Sequence, residues 1–426
     1  MTATSMSVKN KKSAEHENVR AQPEWPPAVI AGAYQTGVLA VRSLKRRGVR
    51  ASCFDSDPLN PGFRSAYGHA RLCPDPDADP HGWLQFMLGL ADELGERSVL
   101  IPSSDKFVSA IAGHAHALRD RFIFSSGIAQ QAALAEKQTQ YELAARHGMP
   151  MPVTRYVKSL EEIEVLAAEL SFPCLIKPTH FREWKKFPSG HPLRNRKIAI
   201  APSRQALMEN YRLAMDTTPD VIVQEIIQGN DMAKRVYLSC YDAGGRRIAN
   251  AMFRELRCDP MGFGPATVTE PVVDPEADAV CNGFLMGIGY VGLCEIEMKR
   301  DSRDGRIKLI EANPRLSGGG DAAPYAGVDL CWVHYLDLIG THVVPVTPDG
   351  QDFRHIVLRA DACAVPAYLK AGLITWRDVL RSYRAPRAYF DLDWQDWRYS
   401  MKTLGVCARS LVWEFLRGTS GQGRVT

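Results

Sequence analysis

Between Pro27 and Pro102 the chain alternates short apolar runs with stretches of helical spacing. Ala28-Val29-Ile30-Ala31 runs into Gly32, and Val38 to Leu44 then follows a helical pattern that Gly48 closes. Val49 to Asp55 and Ser98 to Pro102 repeat the passage from apolar run to polar turn, which predicts a small parallel α/β domain. A further helical stretch, Glu136 to His147, stops at Gly148, and Pro150 and Pro152 then force an extended connection that reads as a domain boundary. Beyond it, strand-like runs at 172–177, 197–201, 221–227, 235–241, 291–299 and 306–312 surround two helical stretches. They predict an α+β module with mostly antiparallel strands. After about Pro345 the pattern is less regular, and Met401 to Arg417 reads as one amphipathic helix.

Composition narrows this picture only slightly. The 426 residues, 45% apolar and 23% charged, suffice for two or three domains or subdomains. Met1 to about Gln22 carries Lys9, Lys11 and Lys12 without an apolar block, so it reads as a flexible tail and not a secretory signal. No run approaches the roughly 20 apolar residues of a membrane span, and the net charge of +4 is spread over the chain. The ten cysteines are scattered without a C-x-x-C pair, which fits reduced core thiols better than disulfides or zinc. A cytoplasmic protein is the expectation. The turn Gly32-Ala33-Tyr34-Gln35-Thr36-Gly37 matches neither G-x-G-x-x-G nor a P-loop, although a helix N-terminus there can hold an anion such as a substrate carboxylate.

Chemistry concentrates in a predicted hairpin. Glu295-Ile296-Glu297-Met298-Lys299 and Ile307-Lys308-Leu309-Ile310-Glu311-Ala312-Asn313 read as strands around the turn Asp301-Ser302-Arg303-Asp304-Gly305. Centring the turn on Asp304 sets Glu297 opposite Glu311 and Glu295 opposite Asn313 on one face. Lys308 alternates onto the other face, and Lys299 shares the acidic face but lies toward the turn. Facing carboxylates repel, so a cation is expected between them, and carboxylate and amide oxygens suit Mg²⁺.

These residues resemble the last motif of the ATP-grasp superfamily, in which an acidic strand pairs with a Glu-x-Asn strand followed by Pro-Arg, here Glu311-Ala312-Asn313-Pro314-Arg315. The resemblance covers roughly residues 28 to 340. It implies that Glu297, Glu311 and Asn313 hold two Mg²⁺ ions, with Mn²⁺ as a substitute and Glu295 as the alternative first acid. Arg315 would face the transferred phosphoryl group. Lys177, ending the run Phe172 to Ile176 before Pro178, resembles a phosphate-binding lysine, and Lys137 resembles the second. In Val221 to Gly229 the resemblance implies an adenine site on Gln224, Ile226 and Ile227, with Glu225 or Asp231 as the acid for the ribose. A basic loop from His180 to Arg196, with Arg182, Lys185, Lys186, Arg194 and Arg196, is placed to cover phosphates. Arg257 is a candidate for holding a carboxylate substrate, with surface ion pairing as its other reading.

The implied fold class is α/β plus α+β, a Rossmann-like domain before a two-subdomain ATP-grasp module. The expected divisions are a tail at 1–25, the first domain at 26–125, the module at 126–345 with subdomains about 126–226 and 227–345, and an extension at 346–426. The implied activity is ATP-dependent joining of a small carboxylate to an amine, an amino acid or peptide among them, through an acyl phosphate with release of ADP and phosphate. No nucleic acid partner is expected, and a homodimer is compatible. The alternatives are a catalytically inactive ATP-binding sensor or scaffold and, further off, an NAD-dependent oxidoreductase built on the Gly32 turn.

Overall fold

The structure is a computed structural model that describes residues 25–68, 70–179, 183–384, 386–390, 392–393, 396–397, 400–401 and 404–405. Residues 1–24 of the expected tail, His180 and Arg182 of the basic loop and most of the expected helix Met401 to Arg417 lie outside the described residues, whereas Trp25 packs edge-on against Trp332 and Tyr335. Among those described, no helix is long and apolar enough to cross a membrane. Among the described residues eight cysteines are buried and free of disulfides.

Three sheets organise the chain. The first has five parallel strands in the order Arg71–Leu72, Ala51–Asp55, Ala28–Ala31, Ser98–Pro102 and Phe122–Ile123. Alternation along Ala28–Ala31 feeds two cores: Ala28 and Ile30 pack with the helix Gln35–Lys45, and Val29 and Ala31 with Pro80–Leu94 and Asp105–Gly113. The Gly32 turn is tight. Gly32 has φ +119°, and a Cβ on Gly37 would stand 1.9 Å from the Gly32 carbonyl oxygen.

The second sheet is antiparallel, in the order Thr154–Val157, Val221–Glu225, Cys174–Pro178 and Ala199–Ala201, and packs against helices Leu160–Glu169 and Arg204–Ala214. The basic segment is not a free loop where it is described. Trp184, Phe187 and Leu193 are buried in this sheet's core, and Phe187 stacks on His191 at 3.8 Å.

The third sheet has seven strands, ordered Ile307–Asn313, Gly292–Arg300, Lys234–Tyr241, Arg247–Cys258, Ala266–Pro271, Arg354–Ile356 and Arg387–Tyr389. All neighbours run antiparallel except the last pair. Helices Lys137–Arg146 and Pro275–Gly287 cover one face. Arg247–Cys258 and Ala266–Pro271 fall outside the strand-like runs read from the sequence, and the last two strands draw residues beyond Pro345 into the sheet.

The hairpin pairs Glu295 with Asn313 and Glu297 with Glu311, the expected register. Toward the turn it differs. Met298 pairs with Leu309, so Ile310 is an extra, bulged residue, and Lys299 faces Lys308. Lys308 therefore lies on the acidic side and not on the opposite face, because one inserted residue reverses the alternation beyond it.

Candidate active site

Each acid of the hairpin has a different environment. Glu295 is buried and accepts hydrogen bonds from Asn313 Nδ2 at 3.1 Å and from Ser317 Oγ at 2.6 Å. The glycines after Ser317 let the chain wrap this carboxylate, since a Cβ on Gly319 would lie 2.6 Å from Glu295 Oε2. Glu311 Oε1 accepts from Lys137 Nζ at 2.7 Å. Glu297, between them and half-buried, has one long contact with Asn313 Nδ2 at 3.5 Å.

Titration follows from these surroundings. Burial, with Glu295 and Glu311 nearby, pushes the Glu297 carboxyl up to about 8. Burial also raises Glu295, against the hydrogen bond from Ser317 and the charge of Arg315. For Glu311 burial acts in the same direction, but the ion pair with Lys137 and the charges of Lys177 and Arg315 outweigh it and bring the group down to about 2. One carboxylate thus has a cation, one has two neutral donors, and Glu297 has only the long Asn313 contact and no ion pair among the described residues. The oxygens of Glu297, Glu311 and Asn313 make a donor set that fits a hard divalent cation.

The lysines are fixed from two directions. Lys137 opens the helix Lys137–Arg146, whose first turns are stitched to the edge strand of the hairpin. Gln140 Nε2 donates to Ala312 O at 2.7 Å while Ala312 N donates back to Gln140 Oε1 at 2.9 Å, and Tyr141 Oη donates to Ile310 O at 2.9 Å. Lys177 is buried within Cys174–Pro178 and donates to Tyr141 Oη at 3.0 Å and Gln224 Oε1 at 3.1 Å. Its ammonium stands 5.1 Å over the Tyr141 ring. Arg315 donates from Nη2 to Asn313 Oδ1 at 3.1 Å and from Nε to Asp105 Oδ1 at 2.6 Å, which ties the hairpin to a helix of the parallel unit.

No protein-family profile matches the chain. It is 28% identical over 278 residues to the D-aspartate ligase of Enterococcus faecium, across 62% of this chain and 64% of that protein. The chain thus aligns with a little under two thirds of that relative's length. With the carbamoyl phosphate synthase large chain of Mycobacterium tuberculosis it shares 22% over 321 residues, 68% of this chain and 26% of that one. Among solved structures, the N5-carboxyaminoimidazole synthetase of Staphylococcus aureus superposes with a TM-score of 0.60 at 16% identity, over 79% of this chain and 83% of that one. The L-amino acid ligase of Bacillus licheniformis gives 0.54 at 14%, over 74% of each chain. This chain has the ATP-grasp fold.

Within the ATP-grasp fold the segment after Val221–Glu225 is only partly arranged as expected. Gln224 bridges Lys177 and Thr154, donating from Nε2 to Thr154 Oγ1 at 2.9 Å. Glu225 lies 3.5 Å from Arg303 of the hairpin turn. Ile227 is buried, and the Ile226 carbonyl accepts from the Gln228 amide at 3.1 Å. Asp231, the other candidate acid for the ribose, is already engaged by neighbouring side chains. It is buried, accepts from Tyr368 Oη, and lies 3.4 Å from Lys234 in a cluster with Glu255 and Cys258.

Arg257 is a correction. It is 3% exposed and forms a bidentate pair with the fully buried Asp361, at 2.8 and 2.9 Å, with Ser382 Oγ a further 3.0 Å contact. A guanidinium out of water needs matched acceptors, and Asp361 takes the face expected to hold a substrate. Tyr141, Gln140, Asp105 and Ser317 were missed by sequence reasoning.

Proposed function

We propose that the chain is an ATP- and Mg²⁺-dependent ligase that activates a carboxylate as an acyl phosphate and joins it to an amine. The observation that carries this reading is Glu297 facing Glu311 beside Asn313, one carboxylate paired with Lys137 and the other without a counter-charge. Glu297, Glu311 and Asn313 would hold Mg²⁺, which supplies charge neutralisation on the phosphates when bound. Glu295 is already engaged by Asn313 and Ser317, which favours Glu297 as the first acid.

Lys137 exchanges Glu311 for a phosphate oxygen when the nucleotide enters, which frees Glu311 as a ligand. Lys177, steadied by Tyr141 and Gln224, presents the second ammonium, and Arg315 stabilises the transferred phosphoryl group. The base lies along Ile226 and Ile227, with Glu225 the accessible acid for the ribose. The substrate carboxylate attacks the γ-phosphorus and ADP leaves; the amine then displaces phosphate from the acyl phosphate to give an amide. The similarity to a D-aspartate ligase and an L-amino acid ligase supports amino acids as substrates. We also read residues 26–125 as the domain preceding the ATP-grasp module and 126–345 as the module itself.

The test is incubation with ATP, Mg²⁺ and pooled amino acids. Release of ADP and phosphate with formation of an amide is expected, and release of AMP and pyrophosphate would refute the acyl-phosphate route. Glu311→Ala should abolish turnover with folding nearly intact.

A further inference from the structure

A row of three lysines crosses the acidic side of the seven-stranded sheet, two residues beyond Glu297: Lys234 pairs with Lys299, and Lys299 with Lys308. The outer two are matched by carboxylates. Lys234 Nζ lies 2.9 Å from Glu255 and 3.4 Å from Asp231. Lys308 Nζ lies 2.8 Å from each of Asp301 and Asp304. Lys299 has neither an ion pair nor a hydrogen bond among the described residues, yet it is only 8% exposed.

The stem is packed against the protein while the ammonium itself is not sealed from solvent, which leaves a partnerless cation accessible to a ligand. The surroundings indicate which ligand. Strand alternation puts Lys299 on the same side as Glu295 and Glu297, roughly 7 Å along the strand from Glu297. Its stem passes the end of the segment Ile226 to Gly229, where a Cβ built on Gly229 would stand 3.6 Å from Lys299 Cε. The ammonium therefore lies between the proposed base segment and the proposed phosphate-binding end.

We infer that Lys299 is a nucleotide-binding residue whose ammonium takes an oxygen of the ribose and α-phosphate portion of the nucleotide. The inference rests on the nucleotide reading above and adds a contact to it. Lys234 and Lys308 each have two carboxylate partners, whereas Lys299 has none among the described residues.

Lys299→Met keeps most of the stem and removes the charge. The full chain and this variant are titrated calorimetrically with ADP and with adenosine, each with Mg²⁺, and their melting is compared without ligand. The variant should bind ADP about tenfold more weakly or worse, the usual consequence of losing a charge-assisted hydrogen bond. It should also melt at a higher temperature when ligand-free, because the partial desolvation of this ammonium and its repulsion by Lys234 are gone. Weakening with ADP alone assigns the contact to the α-phosphate, and weakening with both ligands assigns it to the ribose. Lys299→Arg, which retains the charge, should keep most of the ADP affinity; a loss as large as that of the Met variant would indicate packing and overturn the inference. Equal ADP affinity in wild type and Lys299→Met overturns it while leaving the nucleotide reading intact. A wild type that binds no ADP overturns both.

Discussion

Replacing Glu297 by Gln should relieve the ligand-free protein of a cost that grows with pH. In the folded chain burial, reinforced by Glu295 and Glu311, raises this carboxyl from 4.5 to about 8. In the unfolded chain it titrates at its ordinary value. The folded state therefore holds the proton more tightly, so the associated stability is complete below about pH 4.5 and is lost progressively as pH rises through 8. The interval between 4.5 and about 8 corresponds to at most about 5 kcal/mol. Because the neighbouring carboxyls titrate together and water reaches the cleft, roughly 2 kcal/mol is the expected effect. Chemical denaturation of wild type and Glu297→Gln, in chelator, should give the smallest difference near pH 5 and a widening advantage for the variant toward pH 9. Adding Mg²⁺ at pH 9 should stabilise the wild type selectively and close the gap. Groups remote from this carboxyl cluster cancel in the comparison. Parallel pH profiles from 5 to 9 would refute the account of Glu297 as a carboxyl that lacks a counter-charge.

Two further substitutions separate the site from its support. Lys137→Met removes the cation that holds Glu311 at about 2, so Glu311 should titrate higher and ATP turnover should fall by about 100-fold or more; a steady-state ADP-release assay near wild-type rate would remove Lys137 from the site. Arg257→Met leaves Asp361 as a buried, unmatched charge and should cost about 3 to 5 kcal/mol in denaturation. A variant of normal stability with a raised KM for the carboxylate substrate would instead return Arg257 to substrate binding.

The hairpin was legible because everything that fixes its ligand-facing end is local: alternation, a turn sequence and the count of residues between strands. The bulge at Ile310 was not, since a single extra residue leaves the apolar and polar order of Ile307 to Asn313 looking regular. Lys137 and Lys177 stood out beside a helix start and a Pro, but what positions them did not. Tyr141 and Gln140 look like ordinary helix residues until the helix is laid on the hairpin's edge. Arg257 shows the reverse error: its charge marked it as available, while its partner Asp361 lies 104 residues away in a stretch with no regular pattern. Partners 21 and 104 residues away hid the long strand Arg247–Cys258, whose Lys234–Glu255 and Arg257–Asp361 pairs let charged side chains occupy buried positions.

The strands Arg354–Ile356 and Arg387–Tyr389 lie at the far margin of the seven-stranded sheet, remote in sequence from every residue of the proposed site. Without them Ala266–Pro271 would present open backbone donors and acceptors to solvent, a template for pairing with another molecule. Asp361 would leave with the same segment, abandoning a guanidinium in an apolar interior. Any recombination that spliced a different tail onto the chain near residue 345 would therefore inherit a sticky, internally charged remnant. The stretch after that point thus closes an exposed sheet edge and supplies the counter-charge of a buried arginine.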